Sequence, residues 1–251
     1  MIVFLFDGTE TGLYCALFTA YTQKKFPDLV TTDGEIQQAF GDEAIRILSD
    51  GNNAERVKKG LSACRTKGLL ADVRKIMRWG DKLKYTVAFR YLRLALDNKP
   101  YDVSENYADP TVLAVRDAVR KIGLETHRMT GFLRFTRAEK GYFYARYEPD
   151  NDITDLLMPH FAARFRIQPF LIHDTKRNIL GAYDGKKTIV LPLGDRAVTY
   201  FPDREEDKFL KLWRLYYDSV TIPERKNEKQ MYGYMPARYH KNLPEKNRER
   251  E

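Results

Sequence analysis

Cysteine is scarce: Cys15 and Cys64 are the only two among 251 residues. Both fall in apolar helical patterns, so buried thiols in a reducing compartment are expected rather than a disulfide. Histidine is sparse as well. His127, His160, His173 and His240 are scattered, and no Cys-x-x-Cys pair joins them, so no metal site is expected. His173 and Asp174 are neighbours on a strand end, where adjacent side chains point to opposite faces and would not share one ion. No long apolar run exists. The start, MIVFLFDGTETG, is too short for a membrane span and has no basic region before it. It reads as a core strand, without signal peptide or transmembrane helix, which leads to an expected cytoplasmic location. There is no Gly-x-Ser-x-Gly and hence no local support for a serine triad. Internal repeats and low-complexity linkers are also lacking.

What is present is a strong charge asymmetry. Residues 1–50 carry 3 Lys/Arg against 8 Asp/Glu, whereas residues 51–100 carry 13 against 4. The net charge is +8 and the sequence pI about 9.3. A basic excess in one stretch suits a polyanion, because releasing counterions from phosphates drives association. A solvated basic helix face without a partner is the competing explanation. Apolar residues at 43% and aromatics at 13% suffice for a core and exclude disorder of the whole chain.

The pattern along the chain predicts a strand at 2–6, the turn Asp7-Gly8-Thr9, and a helix with Leu13, Leu17 and Tyr21 on one face. A connection follows at 27–34 and a mixed segment at 36–50. Helices are then expected from Ala54 to Cys64, Leu69 to Trp79 and Lys84 to Leu96, with another opening at Asp109-Pro110, an N-cap followed by proline. After His127 the period shifts towards 2. Strands are expected at 132–135 and 142–147, joined across Glu139-Lys140-Gly141, then a helix at 152–165 and strands at 169–173, 179–183 and 188–191. A last helix spans 205–219. The resulting expectation is an α+β fold: one domain over 1–241, with an N-terminal strand-helix unit, a helical lobe at 36–126 and an antiparallel β-β-α-β-β sheet. Residues 242–251 form a charged, frayed tail.

Strand-Asp7-Gly8-Thr9-helix invites a phosphate site, since a helix N-terminus binds anions. The glycine spacing and lysine of a P-loop are missing. Thr9 also stands where a haloacid-dehalogenase arrangement would want a second acid. A turn with a helix cap is the better reading. Arg74, Arg78 and Lys82 are spaced at four and form a stripe if one helix continues across Gly80. Arg90 and Arg93 lie on the next helix, with Trp79, Tyr85, Phe89 and Tyr91 nearby. Cations beside aromatics can hold a phosphate backbone and stack on bases, unless the aromatics are core.

A set of longer segments carries a resemblance. It comprises Glu125-Thr126-His127-Arg128-Met129-Thr130-Gly131-Phe132-Leu133-Arg134-Phe135, Met158-Pro159-His160-Phe161-Ala162-Ala163-Arg164-Phe165, Ile172-His173-Asp174-Thr175-Lys176-Arg177 and Met231-Tyr232-Gly233-Tyr234-Met235-Pro236-Ala237-Arg238-Tyr239. Phe6-Asp7-Gly8-Thr9, Leu212-Trp213-Arg214-Leu215-Tyr216 and Ile222-Pro223-Glu224-Arg225 fit the same pattern. Together they resemble a bacterial family of DNA-metabolism or DNA-repair proteins, a domain of unknown function. The resemblance implies a setting: a neighbouring radical S-adenosylmethionine (radical SAM) protein that repairs or modifies DNA. A related domain is fused to uracil-DNA-glycosylase-like domains, and this chain reads as the stand-alone form. It lacks the three-cysteine motif of an iron–sulfur cluster, so any radical chemistry would come from the partner and no cofactor is expected here.

Within these segments, His127, Arg128 and Arg134 fall where helix gives way to strand. His160 and Arg164 share a helix face, and Asp174 and Arg177 end a strand. Converging, they would form an arginine-rich pocket for phosphate or a flipped nucleotide; dispersed, they would fix element ends through ion pairs. Three functions follow. The leading one is a DNA-binding accessory to a radical SAM partner, with Arg74, Arg78, Lys82, Arg90, Arg93, Arg128, Arg134, Arg164 and Arg177 as nucleic-acid contacts. The second is a nucleotide- or DNA-processing enzyme with His127 or His160 as general acid/base. The third is a protein-interaction scaffold.

Overall fold

Strand β1 (Ile2–Phe6) is apolar throughout, as a strand buried on both faces must be. In the computed structural model, which describes residues 1–32, 43–194, 206–225 and 227–246, it forms the middle of a parallel sheet of order β2-β1-β3, with β2 at Leu29–Thr32 and β3 at Glu43–Arg46. These two strands replace the connection and mixed segment expected at 27–50. Each has four residues, too few for a clear period. Parallel neighbours need a crossover, supplied between β1 and β2 by helix α1 (Glu10–Gln23).

The chain divides into two compact units, Met1–Gly123 and Leu124–Glu251. In the first, helices α2 (Gly51–Ser62), α3 (Leu69–Ile76) and α4 (Lys84–Asp97) follow the sheet. Phe4 meets Phe89 edge-on at 6.3 Å and Phe6 meets Tyr85 at 4.9 Å, which seats α4 on the sheet. Thr86 reinforces that seat: its hydroxyl accepts from the Val30 amide at 2.9 Å. Cys15 is buried, its Sγ 3.2 Å from the Asp50 amide, and Cys64 is half-buried.

Helix α5 (Pro110–Phe132) runs past His127, so the strand expected at 132–135 does not form, and β4 (Thr136–Arg137) follows it. Leu133 is buried against that helical end, so tertiary packing outweighs the local alternation. Strands β5 (Phe143–Tyr147), β6 (Phe170–Asp174), β7 (Ile179–Tyr183) and β8 (Thr188–Pro192) complete a sheet of order β4-β5-β6-β7-β8. The antiparallel β-β-α-β-β arrangement needs correction. Helix α6 (Thr154–Phe165) lies between β5 and β6 and carries the chain back to the same edge, so this pair is parallel while the others are antiparallel. Gly181 lets α6 sit close, because a Cβ there would lie 2.6 Å from Met158 Sδ.

Helices α7 (Glu206–Val220) and α8 (Glu228–Tyr234) precede a final segment that is not frayed over its described part. Tyr239, Leu243 and Glu245 are each under 5% exposed. Residues 247–251 of the expected tail lie outside the described residues. Among the described residues no helix is long and apolar enough to cross a membrane.

Candidate functional site

The order β2-β1-β3 places a topological switch at the carboxyl end of β1, where the chain leaves to one side through α1 and returns to the other through β3. In open parallel sheets such a crevice is where ligands bind. Asp7 and Thr9 stand at one side of it and Ser49, just beyond β3, at the other. The Ser49 hydroxyl donates to Asp7 Oδ2 at 2.5 Å, while the Thr9 amide and hydroxyl donate to Oδ1 at 2.9 and 2.7 Å. Thr9 also caps α1 by accepting from the Gly12 amide at 3.0 Å. Partial burial pushes the Asp7 carboxyl up, but the hydrogen bonds from Ser49 and Thr9 outweigh it and hold the pKa below its ordinary value. The turn-and-cap reading of Asp7-Gly8-Thr9 therefore describes the geometry, with Ser49 as a partner that the sequence did not suggest.

Helix α2 starts at the same end, capped by Asp50, which accepts from the Asn53 amide at 2.9 Å. So does α4: the Tyr85 hydroxyl lies 3.2 Å from where a Gly8 Cβ would stand. The positive ends of three helix dipoles thus open at one end of the sheet. The carboxylates there are bound to donors. Besides Asp7 and Asp50, Glu10 takes the Tyr14 hydroxyl at 2.5 Å and lies 3.6 Å from Arg74.

The predicted cations reach this end by a route other than the expected one. Helix α3 stops at Ile76 and does not cross Gly80, so Arg74, Arg78 and Lys82 share no single helix. They gather at the α3–α4 corner instead. Arg78 donates to the Arg74 carbonyl at 2.7 Å, Lys82 is exposed, and Lys84 at the start of α4 lies over the Tyr85 ring at 4.6 Å. Lys84 was not among the residues singled out, though a lysine opening a helix beside an aromatic was visible. Arg90 and Arg93 lie at the opposite end. Arg90 donates to the Asp28 carbonyl at 3.0 Å, and Arg93 covers Phe26 at 3.6 Å and pairs with Asp97 at 3.2 Å. Five residues of β1 separate the ends, about 15 Å at roughly 3.3 Å per residue. Tyr85, Phe89 and Tyr91 are core side chains and Trp79 is half-buried against the same core, so the four rings form no open stacking platform.

In the second unit the arginine-rich pocket does not assemble. Arg128 donates to the Gly233 carbonyl at 3.0 Å. Arg134 pairs with buried Glu245 at 2.7 Å, and Trp213 donates to the same carboxylate at 3.1 Å. Arg177 is tied to buried Asp174 at 2.9 Å and to the Pro149 and Asp150 carbonyls. Arg164 is exposed on α6. His127 on α5 and His160 on α6 are also exposed, and neither ring is hydrogen-bonded to a side chain among the described residues. His160 meets Phe161 edge-on at 4.9 Å. The groups that do converge were not predicted. Buried Glu125 accepts from the Asp150 and Asn151 amides and from the Tyr239 hydroxyl at 2.6 Å. Tyr144 and His173 share a hydrogen bond of 2.9 Å. Among the described residues no three His, Cys, Asp or Glu are grouped to hold a metal.

Fold and site together define an α+β protein with a parallel-sheet crevice in one unit and a mixed sheet in the other. The model of a domain of unknown function (DUF4130) matches residues 82–245, and the chain belongs to that family. No curated protein and no solved structure matches it. The matched range contains α4, α5 and the second unit as far as Glu245; the switch-point residues Asp7, Thr9 and Ser49 precede it.

Proposed function

We propose that this protein is a DNA-binding accessory in a repair or modification system, holding the phosphate backbone while a radical SAM partner supplies the chemistry. One observation carries the reading: Arg78, Lys82 and Lys84 collect at the end of the sheet where α1, α2 and α4 begin, beside the Arg74–Glu10 pair. Cations and helix N-termini together favour phosphate. The acidic residues of the same region are held inward as caps and acceptors, and Glu10 is paired with Arg74. The net charge of +8 adds long-range attraction. The partner class rests on the family resemblance.

Anisotropy of a labelled duplex over a salt series tests this. Affinity is expected to fall steeply with salt, and Lys84→Glu is expected to reduce the slope of log K against log salt by about one. Absence of binding at low salt, or binding indifferent to salt, would sink the idea. Co-purification of a radical SAM protein with the tagged chain checks the partner.

A further inference from the structure

Alternation in the second sheet sorts its side chains into two faces. Phe143 and Phe170 lean on α6, with Phe143–Phe165 at 5.2 Å and Phe161–Phe170 at 6.4 Å, and Gly181 abuts Met158. The other face therefore carries Tyr142, Tyr144 and Arg146 on and beside β5, Leu171 and His173 on β6, Leu180 and Ala182 on β7, and Ile189 and Leu191 on β8. The strand register lines up Leu171, Ala182 and Ile189 as one row. At its Tyr144–His173 end this face is buried. Towards Tyr142 it opens. Tyr142, Leu171 and Ala182 are half-buried and Ile189 is 56% exposed. A groove of about 430 Å³ lies there, lined by these four together with Asp184 and Lys187 among others. Its size falls within the roughly 300–1,000 Å³ of small-ligand sites.

Two features decide what fits. Leu171, Ala182 and Ile189 give the floor its aliphatic part, and Tyr142, on the same face, stands at its side, a surface that receives a flat apolar group and gives it a π-face. The rim carries more positive than negative charge: Lys187 lines the groove, Lys186 beside it is exposed, and Lys140, two residues before Tyr142, is exposed next to Glu139. Asp184, the one carboxylate in the lining, is spent on its turn, accepting from the Lys186 and Lys187 amides at 2.8 and 2.7 Å. Flat apolar rings joined by regularly spaced negative charges describe a nucleic-acid strand whose bases are unpaired. In a duplex the faces of the bases are hidden by their neighbours. We infer that this open sheet face binds single-stranded DNA, with a base stacked on Tyr142 over Leu171, Ala182 and Ile189 and the adjoining phosphate at Lys187. The inference rests on the DNA-binding reading and deepens it, because it assigns a strand preference and a second contact.

The test compares a labelled oligothymidylate with a duplex of equal length, using the full chain. Tyr142→Leu keeps the apolar bulk and removes the π-face, and is expected to weaken single-strand binding about tenfold. Lys187→Glu, at an exposed site, is expected to weaken it comparably and gives an answer should Tyr142→Leu fail to fold. Duplex affinity should stay within about twofold in both variants, since the α3–α4 corner is untouched. An oligonucleotide carrying 4-thiothymidine should photocross-link to the peptide containing Tyr142. Single-strand binding unchanged in Lys187→Glu, or cross-links confined to residues 1–123, would overturn the inference. Wild-type binding to duplex alone overturns it while leaving the proposed function standing; binding to neither form removes both.

Discussion

Glu245 illustrates how one side chain organises a segment. It is 4% exposed, and its carboxylate takes a guanidinium N–H from Arg134 and the indole N–H of Trp213. Burial pushes its pKa up, but these donors prevail and hold it below the ordinary 4.5. Its contribution to stability is then complete above the unfolded pKa and is lost as pH falls through the lower folded value. Glu245→Gln should cost roughly 1–3 kcal/mol at neutral pH by urea unfolding, and should flatten the acid limb of stability against pH. Gly12 makes a comparable point at the switch crevice. A Cβ there would stand 2.3 Å from Asp7 Oδ1 and 2.8 Å from Phe6 Cδ2. Gly12→Ala must turn Asp7 away from Thr9 and Ser49, an overpacking loss of about 1–3 kcal/mol measurable by the same method. Thr9→Val, which keeps the shape but removes the cap acceptor, should cost about 1 kcal/mol.

Helices and strands here differ in how far their own residues specify them. The helices at 51–62, 84–97 and 154–165 were legible from apolar spacing, because each has one face turned to a core; the helix at 206–220 was legible by the same spacing although Leu212, Leu215 and Tyr216 on it are exposed. Asp109-Pro110 marked the start of α5 correctly, and the Thr111 amide is bonded to Asp109 Oδ1 at 2.7 Å. Strands β2 and β3 escaped because a short parallel strand shows no alternation, and its register comes only from β1. The crossover α6 was visible as a helix, but whether it joins parallel or antiparallel strands is not written in its periodicity. Gly181 is the small residue that allows it to pack flush. Gly181→Val should separate α6 from the sheet and destabilise by roughly 1–3 kcal/mol, read as a lower urea midpoint.

For the molecule as a whole, the charge asymmetry suggests an anionic partner but does not say which surface would meet it. Net charge is additive along the chain, whereas a binding surface depends on which cations are left outward after ion pairs and caps have formed. Arg74, Arg93, Arg134 and Arg177 are engaged by Glu10, Asp97, Glu245 and Asp174. Arg90 lies at the end of the sheet opposite the α3–α4 corner, so reversing it should change the salt slope of DNA binding little, while reversing Lys84 should lower it by about one. The contrast between the two variants, in one salt series, separates a localised surface from a diffuse electrostatic effect.

The sequence alone determined most helices, the β1 turn and cap, strands β5 to β8 of the second sheet and the positive balance, because each follows from spacing or composition within a few residues. Tertiary structure alone decided the parallel pairings, the meeting of Asp7 with Ser49, and the division of the basic stretch between opposite ends of one sheet. Those depend on contacts between residues distant in the chain, formed when apolar faces are buried together, and no local pattern encodes which partner each face will meet.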